Sequence, residues 1–222
     1  MEKIKLDFIE AAQTIETRLN AHQPELYPRE GVIPAAVMIL ITQRGQTPHI
    51  LFTRRSEDVE HHKGQISFPG GSRELQDSSL LETALRETQE EIGVAPRTVR
   101  VLGRLDDFVT ITDFLISPFV GVLENPQPYR LSPVEVSEVI EVPLDFFLND
   151  LNFEVKKWEN NGRFYDVYFY HYEGQIIWGA TAFMLNRFIE LAFGYNPAPD
   201  PVYRDPRNEH YLQENRQRQA KE

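Results

Sequence analysis

The sequence predicts an α/β or α+β fold, a mixed central sheet flanked by helices. Three observations carry this. Strand-like and helix-like segments are interleaved along one length of 222 residues, which is the pattern of sheet-and-helix layers rather than of a bundle or a sandwich. Hydrophobic residues make up 41% and aromatics 11% of the chain, enough for a core of that size. No cysteine is present, so packing carries the fold without disulfides, and thiolate metal sites and cysteine nucleophiles are excluded.

The elements follow in order. Ile4, Phe8, Ile15 and Leu19 recur at near-helical spacing and predict an amphipathic N-terminal helix. Pro24, Pro28 and Gly31 mark a loop. Residues 32–42, VIPAAVMILIT, are apolar enough for a buried strand, and HILFTRR after the RGQTP turn is its hairpin partner. Ile66–Phe68 is a short strand running into Pro69-Gly70-Gly71. A helix follows, started by Ser79 and Glu82 as a capping box, with Asp77 as a competing N-cap, and stopped by Gly93. Its core stripe reads as Leu81, Leu85, Thr88 and Ile92. VRVLGRL and FLISPFVGVL read as strands, while VSEVIEVPLDFFL is mixed. RFYDVYFYHYEGQIIWG is a hairpin turning at Glu173-Gly174, and ATAFMLNRFIELAF is a final amphipathic helix. The chain thus divides into an N-terminal helix and loop (1–31), a main domain (32–193) and a proline-containing charged extension (194–222).

Composition narrows the function. The net charge of −11 disfavours nucleic acid and anionic membranes, which call for basic patches. No apolar run reaches the ~18 residues of a membrane span, and the first residues lack a secretion signal's apolar core. A cytoplasmic protein is the expectation. The acid is concentrated: residues 74–91 carry six acidic groups and one arginine, and residues 135–145 carry four acidic groups and no base.

Within the first cluster, Glu87, Glu90 and Glu91 share one flank of the helix at 100° per residue. Glu87 and Glu91 are like charges at i, i+4, which destabilises by a few tenths of a kcal/mol, and neither has a cation four residues on. Such acids either face water or share a hard divalent cation such as Mg²⁺. Ahead of them, Gly70 and Gly71 let the backbone turn tightly and approach a ligand.

The stretch from Phe68 to Val94 resembles the box of the Nudix hydrolases, G-x5-E-x7-R-E-U-x-E-E-x-G-U with U apolar. Arg86-Glu87-Thr88-Gln89-Glu90-Glu91-Ile92-Gly93-Val94 matches its second half, with Thr88 off pattern. In the first half Gly71 lies one residue too far from Arg86, and Asp77 is the nearest acid to the missing glutamate. Upstream, Leu51-Phe52-Thr53-Arg54-Arg55-Ser56, Gly64 and Phe68-Pro69-Gly70-Gly71 are similar to the pattern of the Nudix enzymes that act on coenzyme A, with Glu60 in place of an arginine. The likeness covers residues 32–193.

The resemblance implies an α/β/α sandwich and a metal-dependent diphosphatase. It implies Mg²⁺ or Mn²⁺ on Glu87, Glu90 and Glu91, with Arg86 orienting them. The base is a box glutamate or a distal one, for which Glu135 and Glu138 are the candidates. Arg54 and Arg55, Arg55 preferred, would meet phosphates beside Gly70 and Gly71. The implied substrate is coenzyme A or a derivative, giving 3′,5′-ADP and 4′-phosphopantetheine; ADP-ribose, NADH or a dinucleoside polyphosphate is the alternative, and a silent nucleotide-binding module a third. His61 and His62 read as exposed loop residues. The aromatic hairpin of Tyr165, Tyr168, Phe169, Tyr170 and Tyr172 reads as core or interface, with adenine stacking as the other use, and Trp178 as an anchor between the last strand and helix. A homodimer is a further expectation.

Overall fold

The computed structural model describes residues 6–28, 31–57, 63–110, 112–124, 128–160 and 163–198. Residues 58–62, with Glu60, His61 and His62, and most of the C-terminal extension lie outside them, as does Ile4.

The apolar run near the start of the main domain becomes β1 (Ile33–Arg44). It is apolar on both faces because it lies inside the sheet and is covered twice. Ile39 and Ile41 enter one core cluster and Met38 and Leu40 the other. β1 pairs antiparallel with β2 (Thr47–Arg55) and parallel with β7 (Phe114–Leu123), in register from Ile33↔Phe114 to Thr42↔Leu123. The order is β3-β2-β1-β7-β5, with β3 (Ile66–Ser67) and β5 (Val99–Arg104) at its ends. β4 (Gly70–Ser72) pairs with the first half of β1, β6 (Phe108–Val109) with β7, and β8 (Val136–Pro143) with β2. The mixed sheet of the expectation is therefore present, and the segment that read as mixed is β8 followed by a 3-10 turn over Leu144–Leu148.

Helices cover both faces. α1 (Phe8–Ala21), capped by Asp7, buries Phe8, Ile15 and Leu19 in the first cluster together with α3 (Gly179–Phe193). α2 (Leu80–Ile92) buries Leu80, Ala84 and Ile92 in the second. The N-terminal helix thus shares one core with the final helix.

A second, three-stranded sheet runs β11-β10-β9, formed by β9 (Phe153–Asn160), β10 (Arg163–Tyr172) and β11 (Gln175–Trp178). The β10–β11 turn sits where expected, with Glu173 at φ 47° and Gly174 at φ 78°, the paired positive values of a tight hairpin whose twist matches its strands. Tyr168 and Tyr170 are buried in the first cluster, where Phe147 meets Tyr170 edge-on and Phe153 meets Tyr168 edge-on and Tyr170 tilted. β11 packs along β3, so the small sheet borders the large one beside the Pro69-Gly70-Gly71 turn. No helix is long and apolar enough to cross a membrane among the described residues.

Candidate functional site

α2 begins where Ser79 Oγ accepts the Glu82 N–H at 3.1 Å. Glu82 does not complete the reciprocal box at Ser79; it accepts the Ser78 N–H at 2.7 Å. Gly93 closes the helix in the left-handed region, φ 75°. Asp77 is not the cap. It is buried and accepts from Thr83 Oγ1 and the Glu74 N–H, each at 2.9 Å.

The helix is rotated from the expected stripe. Its buried residues are Leu80, Thr83, Ala84, Thr88, Glu91 and Ile92, while Leu81 and Leu85 are only half-buried. Leucines occupy adjacent positions 80 and 81, so the sequence pattern fits either rotation. Docking on β1 and β4 favours the face with the small Ala84 and the self-satisfied Thr88, whose hydroxyl donates to Ala84 O at 2.6 Å. That rotation carries Glu91 into the interior at 4% exposure.

Arg86 organises the acids. Its Nε and Nη2 donate to the two oxygens of Asp77 at 2.9 and 3.0 Å. Nη1 lies 2.8 Å from Glu90 Oε2 and 3.0 Å from Glu87 Oε1, and Nη2 also donates to Ser72 O at 3.1 Å. The bonds from Arg86 hold the Asp77 carboxyl far below its usual range, and Asp77 in turn holds the guanidinium charged. This fork geometry is one that lysine cannot reproduce.

Glu91 is uncompensated. Its Oε2 is buried with no hydrogen-bond partner among the described residues. Burial, and then the charge of Glu87, push it up to about 8, against the pull of Arg55 and the Gly70 N–H. Burial also raises Glu87, which Arg86 opposes. Gly71 lies against the Glu87 carboxylate so closely that an added Cβ would stand 2.5 Å from Oε1. At Gly70, φ is +156° and an added Cβ would meet the Ala36 carbonyl and, at 2.7 Å, Val37 Cα. Gly70 is therefore demanded by close approach of backbone to backbone, whereas at Gly71 the flexible Glu87 side chain would have to yield.

The second acidic cluster divides. Ser132 N–H donates to Glu91 O and Ser56 N–H to Glu135 O, at 2.9 and 2.8 Å. This folds the segment before β8 over the end of α2, and the Glu135 charge acts on both Glu87 and Glu91. Glu138 lies on β8 and pairs with Arg54 Nε at 3.0 Å, while Arg54 Nη1 donates to Gly64 O. The structure thus brings Glu87, Glu91, Glu135 and Arg55 together beside Gly70 and Gly71. It engages Arg54 and Glu138 with one another, and Glu90 with Arg86. Among the described residues no three His, Asp or Glu stand ready to grip one cation; Glu87 and Glu90 are both paired with Arg86. Thr83 and the Ser72 carbonyl, which support the Asp77–Arg86 pair, carried no sequence signal of their own.

Comparison with known proteins identifies the family. The model of the NUDIX domain matches residues 32–166. The "Uncharacterized Nudix hydrolase NudL" of Pectobacterium atrosepticum is 36% identical over 164 residues, covering 74% of this chain and 85% of that one. Its namesake from Escherichia coli is 35% identical over 191 residues, 86% and 95% respectively. Among solved structures, the NUDIX domain of Shewanella oneidensis NrtR complexed with ADP ribose matches 58% of this chain and 79% of its own, at 21% identity and TM-score 0.43. A C. elegans Ap4A hydrolase matches 53% and 84%, at 16% identity and TM-score 0.44. The family model, the relatives and the box residues concur, and the chain belongs to the Nudix family, hydrolases that act on the pyrophosphate bonds of nucleoside diphosphate derivatives.

Proposed function

We propose that this Nudix enzyme hydrolyses the diphosphate of coenzyme A or its derivatives, releasing 3′,5′-ADP and 4′-phosphopantetheine or its acyl form. The observation that carries the diphosphatase site is the buried, partnerless Glu91 oxygen facing Glu87 beneath the Gly70-Gly71 turn. Two raised carboxylates without a cation between them form an all-oxygen donor set that suits Mg²⁺ or Mn²⁺, and Nudix hydrolases generally need such ions. Glu87 and Glu91 would hold the ion, with Glu90 as the third carboxylate once released from Arg86. Such an ion, when bound, neutralises diphosphate oxygens and lowers the pKa of a bound water.

The chain's own residues supply the rest. Arg86, locked by Asp77, orients Glu87 and Glu90. Arg55, whose Nε is buried and without a partner among the described residues, offers a fork to a phosphate beside Glu91. Glu135 is the preferred distal base, since its charge reaches Glu87 and Glu91 while Glu138 is tied to Arg54. The choice of coenzyme A rests on the spacing of residues 51–71; Glu60, of reversed charge, favours ADP-ribose or NADH as the second reading. Incubating the chain and Mn²⁺ with coenzyme A, acetyl coenzyme A, ADP-ribose, NADH and diadenosine tetraphosphate, with products identified, tests this. Release of 3′,5′-ADP is expected, and faster turnover of ADP-ribose or NADH overturns the coenzyme A assignment.

A further inference from the structure

The face of the small sheet opposite its buried tyrosines carries a row of aromatic rings that lies outside the core clusters. Phe169 and Trp178 are register partners on β10 and β11, with ring centroids 6.0 Å apart and planes 6° from parallel. Trp158 on β9 continues the row, 6.4 Å from Trp178 and 3° from parallel. Lys156 Nζ lies 4.9 Å from the Phe169 ring centre, and Trp158 stands at the open end, 55% exposed. Isolated exposed apolar residues are ordinary, but a contiguous aromatic row marks a binding surface.

Its place in the fold selects the occupant. Alternation along β10 puts Tyr168 and Tyr170 into the core shared with α1 and α3, so Phe169 points the opposite way. The opposite side of the large sheet is the one α2 covers. β11 contacts β3, and β3 leads into Phe68–Gly71, so the small sheet that carries the row borders the turn beside the α2 carboxylates. A nucleoside diphosphate whose diphosphate lies at Glu87 and Glu91 would extend its base from there. Stacking needs no cation, which suits a chain of net charge −11.

We propose that Trp158, Trp178 and Phe169 form the platform on which the purine base of the diphosphate substrate stacks. The proposal rests on the diphosphatase reading for the position of the diphosphate. The chain has two tryptophans, both in this row, so fluorescence excited selectively at tryptophan reports on it alone. The full-length protein is titrated with AMP, 3′,5′-ADP, ribose 5-phosphate and inorganic pyrophosphate. Saturable quenching by the two nucleotides and none by the base-free phosphates is expected. Trp158→Ala should raise KM about tenfold at unchanged kcat for whichever adenine-containing diphosphate is turned over, a loss in the range of one base stack, and Trp158→Phe should restore most of it. Quenching with no hydrolysis of any diphosphate supports the platform and refutes the diphosphatase reading. Hydrolysis with an unmoved KM in Trp158→Ala refutes the platform and leaves the diphosphatase reading intact. A dimer that Trp158→Ala dissociates, with no nucleotide quenching, also overturns it, assigning the face to a second copy.

Discussion

Glu91→Gln separates a buried carboxylate's effect on stability from its effect on chemistry. In the folded chain Glu91 is raised to about 8 from an ordinary 4.5. The sign follows from linkage: the folded state holds this proton more tightly, so stability is full below about pH 4.5 and falls as pH rises toward 8. At pH 7 without divalent metal, the unfolded chain gains by ionising Glu91 while the folded chain does not. That difference is about 3 kcal/mol, treated as an upper value. A permanently neutral glutamine removes it, keeps a carbonyl for the Gly70 N–H, and can donate to Glu87. At about 2–4 °C per kcal/mol for a chain of this length, Glu91→Gln should melt up to roughly 10 °C above the parent in EDTA at pH 7–8. The two should converge near pH 4.5. Adding Mn²⁺ should raise the melting temperature of the parent by mass action and leave the variant nearly unmoved, while turnover is lost. A variant that melts at or below the parent at pH 8 in EDTA would refute the argument that Glu91 is held uncompensated.

Four further outcomes are expected. Arg86→Met leaves Asp77 buried and unpaired, and should lower stability by about 3–5 kcal/mol in urea titration; adding Asp77→Leu should return part of that loss in a double-mutant cycle. Asp77 itself is depressed below its ordinary 3.8 by Arg86, so its contribution is present above that pH and lost as pH falls through the lower folded value; Asp77→Asn should flatten this acid limb in melts from pH 5 to 2. Gly71→Ala places a Cβ 2.5–2.9 Å from the Glu87 carboxylate, where the side chain rather than backbone must yield, so calorimetry should find weaker Mn²⁺ binding with a stability change of only about 1 kcal/mol. Glu135→Gln should lower kcat by about 10²-fold or more if it takes the water's proton, and Glu138→Gln by no more than a few-fold, with the acid limb of the pH–rate profile moving in the first alone.

The strands of the large sheet were legible because a segment covered on both faces must be apolar throughout. VIPAAVMILIT shows that without ambiguity, and its hairpin partner β2 follows from the turn at Gly45. β9 was not legible. FEVKKWEN alternates weakly and carries four charges, since its outward row faces solvent; what makes it a strand is its ladder with β10. Trp158 was missed with it, and with it the third ring of the aromatic row.

In the candidate site, the box singles out the residues, and local geometry decides what each one touches. Three glutamates on one flank of a helix look equivalent at 100° per residue. They diverge because one arginine, placed by a buried aspartate nine positions earlier, takes Glu90 and half of Glu87, while a rotation of the helix by one leucine sends Glu91 inside. The same holds for the distal acids. Glu135 and Glu138 differ by three positions, but the first precedes β8, held by the Ser56 N–H, and the second lies on it, across from Arg54. Register assigns them opposite partners. No periodicity in either acidic segment encodes that choice, because it is made by the strand and turn against which each segment packs.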